Sequence, residues 1–200
     1  MPSIYQLKPA FQNLLRPLTQ RLFRLGATAN HVTLAAMLLS CMVGALLYAF
    51  PNRWALLLIP LFLFVRMALN AIDGMLAREH HQKSTLGAIL NELGDVVSDA
   101  ALYLPFAVLP GSSPTLVVLT VLLAVLSEMT GVVGVQIGAT RRYDGPMGKS
   151  DRAFVFGAIA LILALGVPFG IWQNIAFTAI ALLLLLTIYN RVRGALQELH

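Results

Sequence analysis

The chain has 200 residues, 58% of them hydrophobic and 12% charged, with a formal net charge of +5. Soluble domains carry about 25% charged residues, so this composition excludes a water-soluble globular fold and indicates an integral membrane protein. Membrane topology and contact with anionic lipid account for the positive charge without any nucleic acid.

In chain order, Ile4, Leu7, Phe11, Leu14, Leu15, Leu18 and Leu22 recur at helical spacing with Lys8, Arg16, Arg21 and Arg24 between them. That pattern predicts an amphipathic helix lying on the membrane surface. The stretch is too long and too polar for a cleaved signal peptide, so the first span is expected to be retained. Apolar runs close to the ~20 residues needed to cross a bilayer then follow at 32–50, 54–76, 85–109, 114–137, 153–169 and 172–189. The turns P-N-R at 51–53, P-G-S-S-P at 110–114 and G-V-P-F-G at 166–170 join some of them. The expected fold is an all-α integral membrane protein: one domain over 1–200, with an interfacial helix at 1–30 and a six-helix bundle at 31–200.

Six spans place both termini on one side, and the basic residues choose which. Lys8, Arg16, Arg21 and Arg24 precede the first span, Arg78 and Lys83 join the second and third, and Arg141, Arg142, Lys149 and Arg152 join the fourth and fifth. Arg191 and Arg193 follow the sixth, while the opposite face holds Arg53. Both termini and the two polar loops are therefore expected in the cytoplasm. The single cysteine, Cys41, falls inside the first span and excludes an internal disulfide or a cysteine-based metal site.

Ionisable residues at membrane depth cost at least about 2.5–3.5 kcal/mol each and usually face a bundle interior or a watery cavity. Here Asp73 and Arg78 end the second span, and Glu92, Asp95 and Asp99 lie in the third. Arg66 and Glu128 stand apart, and a mutual pair between those two is the simplest structural expectation. On a helix, Asn70, Asp73 and Ala77 share one face, and Asn91, Asp95 and Asp99 share another. The short loop E-H-H-Q-K-S makes the two helices antiparallel neighbours, so two amides and two or three carboxylates are expected to converge. That is a hard-oxygen setting suited to Mg²⁺ or Mn²⁺. Gly74, Ala77 and Gly87 leave room for a ligand at the backbone, and Arg78 offers a phosphate-binding fork at the rim. A metal-bound phosphate or diphosphate is the expected ligand.

From Asn70 to Asp95 the sequence reads N-A-I-D-G-M-L-A-R, eight residues, then G-A-I-L-N-E-L-G-D. This resembles the signature of the CDP-alcohol phosphatidyltransferases, D-x2-D-G-x2-A-R-x8-G-x3-D-x3-D, with identical spacing. T-A-N-H-V-T at 28–33 looks like that family's entry into its first helix. The resemblance implies transfer of a phosphatidyl group from CDP-diacylglycerol to an alcohol with release of CMP, in a small bacterial inner-membrane subfamily, by a homodimer whose active site faces the cytoplasm. It implies that Asn70, Asp73, Asn91 and Asp95 hold divalent metal, Mg²⁺ or Mn²⁺. It further implies that Asp73, Gly74, Ala77, Arg78 and Gly87 line the cytidine diphosphate site, and that Asp95 is the general base.

The first and third signature acids are asparagine here. An amide oxygen still ligates Mg²⁺, but each exchange removes a negative charge and a bridging ligand. Asp99 lies eight residues beyond Asn91, about 12 Å along a helix, so it either holds a displaced ion or pairs with a basic residue. Glu92 points about 100° from Asn91, toward packing or a dimer contact. An active transferase is the leading reading. A catalytically impaired relative that binds CDP-lipid and regulates or partners another synthase is the second, and an ion path through the membrane the third. For the acceptor, Arg141, Lys149, Arg152 and Arg191 suggest an anion pocket and a phosphorylated polyol such as glycerol 3-phosphate; topology and lipid headgroups explain the same charges equally well.

Overall fold

The computed structural model describes residues 7–199, and among these it contains helices and no strand. Seven α-helices follow in order: α1 (Leu7–Arg24), α2 (Ala29–Ala49), α3 (Arg53–Glu79), α4 (Thr85–Tyr103), α5 (Pro114–Gln136), α6 (Lys149–Ala164) and α7 (Ile171–Leu199). A 3₁₀ turn, Leu104–Val108, continues α4 where Pro105 ends the regular ladder. Each of the six apolar runs lies largely on one of α2 to α7, and α1 carries the amphipathic segment. Ile4 lies outside the described residues.

Four helices, α2, α3, α5 and α7, are long and apolar enough to cross a membrane, and only 28% to 44% of their most apolar windows are buried. Leu38 and Met42 on α2, Phe64 on α3, Leu122 and Met129 on α5 and Leu182 on α7 all point outward. Such faces are stable only against lipid. α4 carries Glu92, Asp95 and Asp99, and α6 spans 16 residues. The fifth run was expected to reach residue 169, but α6 ends at Ala164 because Gly166 turns the chain at φ +96° and Pro168 follows.

The chain forms two compact units, one of residues 1–42 and 62–98, the other of 43–61 and 99–200. In the first, α1 lays Leu15 and Leu22 against Ala29 and Val32 of α2 and against Leu69, Ile72, Leu76 and Ala77 of α3. The α3–α4 loop closes the start of α2: Ala29 N donates to Gln82 Oε1 at 2.8 Å, and Thr28 Oγ1 accepts from His31 N. These contacts satisfy backbone donors that a helix start leaves open.

The core of the second unit is aromatic. Tyr103 stacks on Phe156 at 4.0 Å between ring centroids, and Phe106 and Phe177 pack around the same ring. Gly44 of α2 lies so close to the Ala101 carbonyl of α4 that a Cβ there would collide. The loop between α5 and α6 is tied to α7, because Met147 N donates to Thr187 Oγ1 at 3.0 Å and Gly145 runs against Thr187. α6 then starts at Lys149, its first turn capped by the Asp151 carboxylate accepting from Gly148 N at 2.9 Å.

Candidate active site

The signature residues all lie in the first unit, on the C-terminal part of α3 and on α4 from Gly87 to Asp95. Asp73 is buried, 6% exposed. The Thr33 hydroxyl of α2 lies 2.9 Å from Asp73 Oδ2 and 3.1 Å from the Ala29 carbonyl. A carboxylate is the stronger acceptor of the two, so Thr33 orients Asp73 from the neighbouring helix. Gly94 of α4 lies beside the same threonine, where a Cβ would sit 3.5 Å from Thr33 Cγ2.

Asp95 meets Arg66, which reaches it from one turn before Asn70 on α3. Arg66 Nη2 is 3.1 Å from the Asp95 carbonyl and 3.5 Å from its Oδ1, with the arginine side chain 4% exposed. One guanidinium thus fixes both the backbone and the carboxylate at that position. Arg66 engages Asp95, and Glu128 gathers arginines of the second unit. Helical spacing locates such residues in depth but says nothing about which partner the packing will bring to them.

Asn70 is half-buried and Asn91 exposed. At Gly74 a Cβ would lie 2.9 Å from Arg78 Nη2, so the arginine folds back over the glycine beside Asp73. Gly87 faces Asn30 and Ser84, whose oxygens would lie 2.8 and 3.0 Å from an added Cβ. Ala77 packs into the α1–α2–α3 core. Asn30 and Thr33 both belong to T-A-N-H-V-T, so that segment supports the site directly as well as opening α2.

Two amides and two or three carboxylates were expected to converge; among the described residues no group of three or more His, Cys, Asp or Glu side chains is disposed to hold a metal. Asp99 belongs to the second unit, where it takes the ion-pair alternative. Arg152 Nε and Nη2 lie 3.0 and 2.8 Å from its Oδ2. The remaining donors at the signature positions are two carboxylates and two amide oxygens. They are hard-oxygen ligands that fit a divalent cation, with half the negative charge of a four-aspartate set.

The arginines expected in an acceptor pocket are largely interior. Arg152 and Arg191 are each 1% exposed. Arg152 also binds Glu128 Oε1 at 2.9 Å and the Met147 carbonyl at 3.2 Å. Arg191 donates to the Ser127 carbonyl, to Asp144 O at 3.3 Å and to Glu128 Oε1 at 3.4 Å. Arg141 donates to Glu128 Oε2 at 2.8 Å and to the Arg142 carbonyl at 2.6 Å. Lys149 is half-buried at the first position of α6. At the rim, Arg142 forks onto Asp144 at 2.8 and 3.0 Å and reaches Glu198 at 2.8 Å. The Arg142 hydrogen bonds hold the Asp144 carboxyl below the ordinary aspartate range, against a smaller opposing effect of burial.

This architecture and signature are those of a known class: the profile of the CDP-alcohol phosphatidyltransferase family matches residues 27–189. The chain belongs to the CDP-alcohol phosphatidyltransferase family and is a transferase. It is 49% identical to the inner membrane protein YnbA of Escherichia coli K12, over 97% of this chain and 96% of that protein. It is 28% identical to the phosphatidylinositol phosphate synthase of Mycolicibacterium smegmatis, over 100% and 95% of the two chains. Its fold is similar to that of the Mycobacterium tuberculosis phosphatidylinositol phosphate synthase crystallised with CDP-DAG bound, with a TM-score of 0.77, 18% identity, and 90% and 92% of the chains covered. A second structure of that synthase, in complex with manganese and citrate, gives a TM-score of 0.73 at 20% identity, covering 90% and 87%.

Proposed function

We propose that this protein transfers the phosphatidyl group of CDP-diacylglycerol to the hydroxyl of an alcohol and releases CMP. The observation that carries the reading is the signature itself, present at unbroken spacing with Asp73 and Asp95 each held by a partner, Thr33 and Arg66. The acceptor oxygen attacks the phosphorus that bears the diacylglycerol, the bond from that phosphorus to the CMP oxygen breaks, and CMP leaves with the electron pair. Asp95 takes the acceptor's proton as general base. Arg66 positions that carboxylate, and Thr33 positions Asp73.

Asn70, Asp73, Asn91 and Asp95 would hold Mg²⁺ or Mn²⁺, whose contribution is to neutralise the diphosphate and stabilise the leaving group. Gly74 and Arg78 offer the diphosphate a close backbone and a planar fork, with Ala77 and Gly87 flanking. The protein is proposed to sit in a bacterial inner membrane with six spans, both termini and the active site on the cytoplasmic side, and to work as a homodimer. The phosphorylated acceptor suggested by Arg141, Lys149, Arg152 and Arg191 does not carry over unchanged, because Glu128 and Asp99 already engage three of those groups.

The two asparagines favour a specific second reading, a family member that binds CDP-lipid and regulates or partners another synthase. The experiment that separates the two measures CDP-diacylglycerol binding and CMP release on one preparation of purified protein with Mg²⁺ or Mn²⁺. Acceptor-dependent release supports transfer. Binding without release from any acceptor supports regulation.

A further inference from the structure

Arg66 lies one helical turn before Asn70, on the same face of α3. It therefore stands beside a signature position that carries no charge in this chain. Its Nη2 donates to the Asp95 carbonyl at 3.1 Å and reaches the Asp95 carboxylate Oδ1 at 3.5 Å. The backbone contact is the closer of the two, so the main chain anchors the guanidinium.

That anchor has a consequence for any ion at Asp95. A backbone carbonyl stays in place when the carboxylate beside it turns toward a ligand, so the positive charge remains next to Asp95. An arginine does not shed its charge by deprotonation. The Arg66 side chain is 4% exposed and that of Asp95 24% exposed. Water therefore screens the guanidinium poorly, while the carboxylate stays open to an incoming group.

We infer that Arg66 couples metal binding to the CDP-lipid, so that the site holds a divalent cation tightly only in company with the substrate's diphosphate. This rests on the transfer reaction proposed above, with Asp95 among the metal ligands. A divalent ion arriving alone finds two carboxylates and two neutral amides at the signature positions, and it shares one of those carboxylates with a fixed positive charge. The amides give lone pairs but no negative charge to offset the repulsion. The diphosphate brings anionic oxygens of its own. With them present, the ion and the guanidinium no longer compete for a single carboxylate. Arg66 is thus a positioning residue for Asp95 whose charge also keeps the metal site weak until substrate arrives. A residue that merely braced Asp95 would have the opposite effect, since its loss would loosen the ligand and weaken metal binding.

The test measures Mn²⁺ binding through the electron paramagnetic resonance of the free ion, on the protein in zwitterionic nanodiscs with and without CDP-diacylglycerol. Protein-free discs of the same composition are subtracted. Wild type is expected to bind Mn²⁺ at least about tenfold more tightly when CDP-diacylglycerol is present. Without the lipid, Arg66→Gln, which keeps a donor for the Asp95 carbonyl but removes the charge, is expected to bind Mn²⁺ at least about tenfold more tightly than wild type. Arg66→Lys keeps the charge and is expected to stay near the wild-type value. A wild-type Mn²⁺ affinity unchanged by CDP-diacylglycerol overturns the inference while leaving the transfer reaction intact. So does a folded Arg66→Gln that binds Mn²⁺ no more tightly than wild type. Should that variant fail to fold, the wild-type comparison decides alone. CMP release on the same discs tests the transfer reaction separately: none from any acceptor overturns transfer, and coupled binding of Mn²⁺ and CDP-lipid then still upholds the role of Arg66.

Discussion

Arg152 closes on Asp99 from two nitrogens of one guanidinium, Nε at 3.0 Å and Nη2 at 2.8 Å from the same carboxylate oxygen, with both side chains at most 7% exposed. Removing Asp99 leaves a buried charge under-compensated, because the other carboxylate at Arg152, Glu128, is shared with Arg141 and Arg191. Asp99→Ala is expected to destabilise the protein by about 3–5 kcal/mol. By contrast, Arg16 and Glu79 pair at 3.2 Å with side chains 44% and 35% exposed; Glu79→Ala is expected to change stability by less than about 1 kcal/mol. Thermal unfolding of both variants in one detergent checks the contrast, and equal losses would contradict it.

The Thr33–Asp73 contact gives a prediction for the site. Thr33→Val keeps the shape of the side chain and removes the hydroxyl that lies 2.9 Å from the Asp73 carboxylate. A hydrogen bond to a charged group is worth about 1.5–3 kcal/mol, so kcat/KM for CMP release should fall by about tenfold to a hundredfold. The thermal transition should fall as well, because the same hydrogen bond is lost from the folded protein. A Thr33→Ser variant, which restores the donor, should recover most of the activity.

How much of this was legible in the sequence follows from what spacing can encode. The periodicity of Asn70, Asp73 and Ala77 and of Asn91 and Asp95 located the polar stripes, because a helix maps sequence separation directly onto faces. Partner identity was not encoded that way. Arg66 takes Asp95, 29 positions away, and Asp99 takes Arg152, 53 positions away. Both choices depend on how helices pack. The start of α6 was misjudged for a different reason: Lys149 and Asp151 read as loop by polarity, yet Asp151 caps the helix it belongs to. Thr33 carried a signal inside T-A-N-H-V-T, but one that spoke of helix entry rather than of Asp73.

Gly74 supplies a test of the rim. An added Cβ would stand 2.9 Å from Arg78 Nη2 and 3.1 Å from Nη1, so Gly74→Ala must push the guanidinium out of place while leaving the helix intact. The expected result is a KM for CDP-diacylglycerol raised by about tenfold with kcat changed less, as for lost ground-state binding. Unchanged KM would show that Arg78 does not meet the lipid's diphosphate from this position.

The Arg142–Asp144 fork predicts an acid limit for the α5–α6 loop. Because Asp144 is held below its ordinary value when folded, its pair contributes stability above the unfolded pKa, about 3.9. That contribution is lost as pH falls through the folded-state value. Limited proteolysis of the loop should therefore be constant from about pH 5 to pH 8 and rise only below about pH 4. Arg142→Ala should remove the acid step. A step near neutrality would assign the loop's order to some other group.

The central claim is that a signature with asparagine at two of four positions still performs phosphatidyl transfer through Asp95. It is tested most directly by CMP release from CDP-diacylglycerol with Mg²⁺ or Mn²⁺, wild type and Asp95→Asn side by side, over a panel of polyols, phosphorylated polyols and amino alcohols. The account predicts release that depends on one acceptor in wild type and is abolished in Asp95→Asn, with both proteins folded and binding the CDP-lipid. Release from Asp95→Asn at the wild-type rate, or none from wild type with any acceptor, would contradict it.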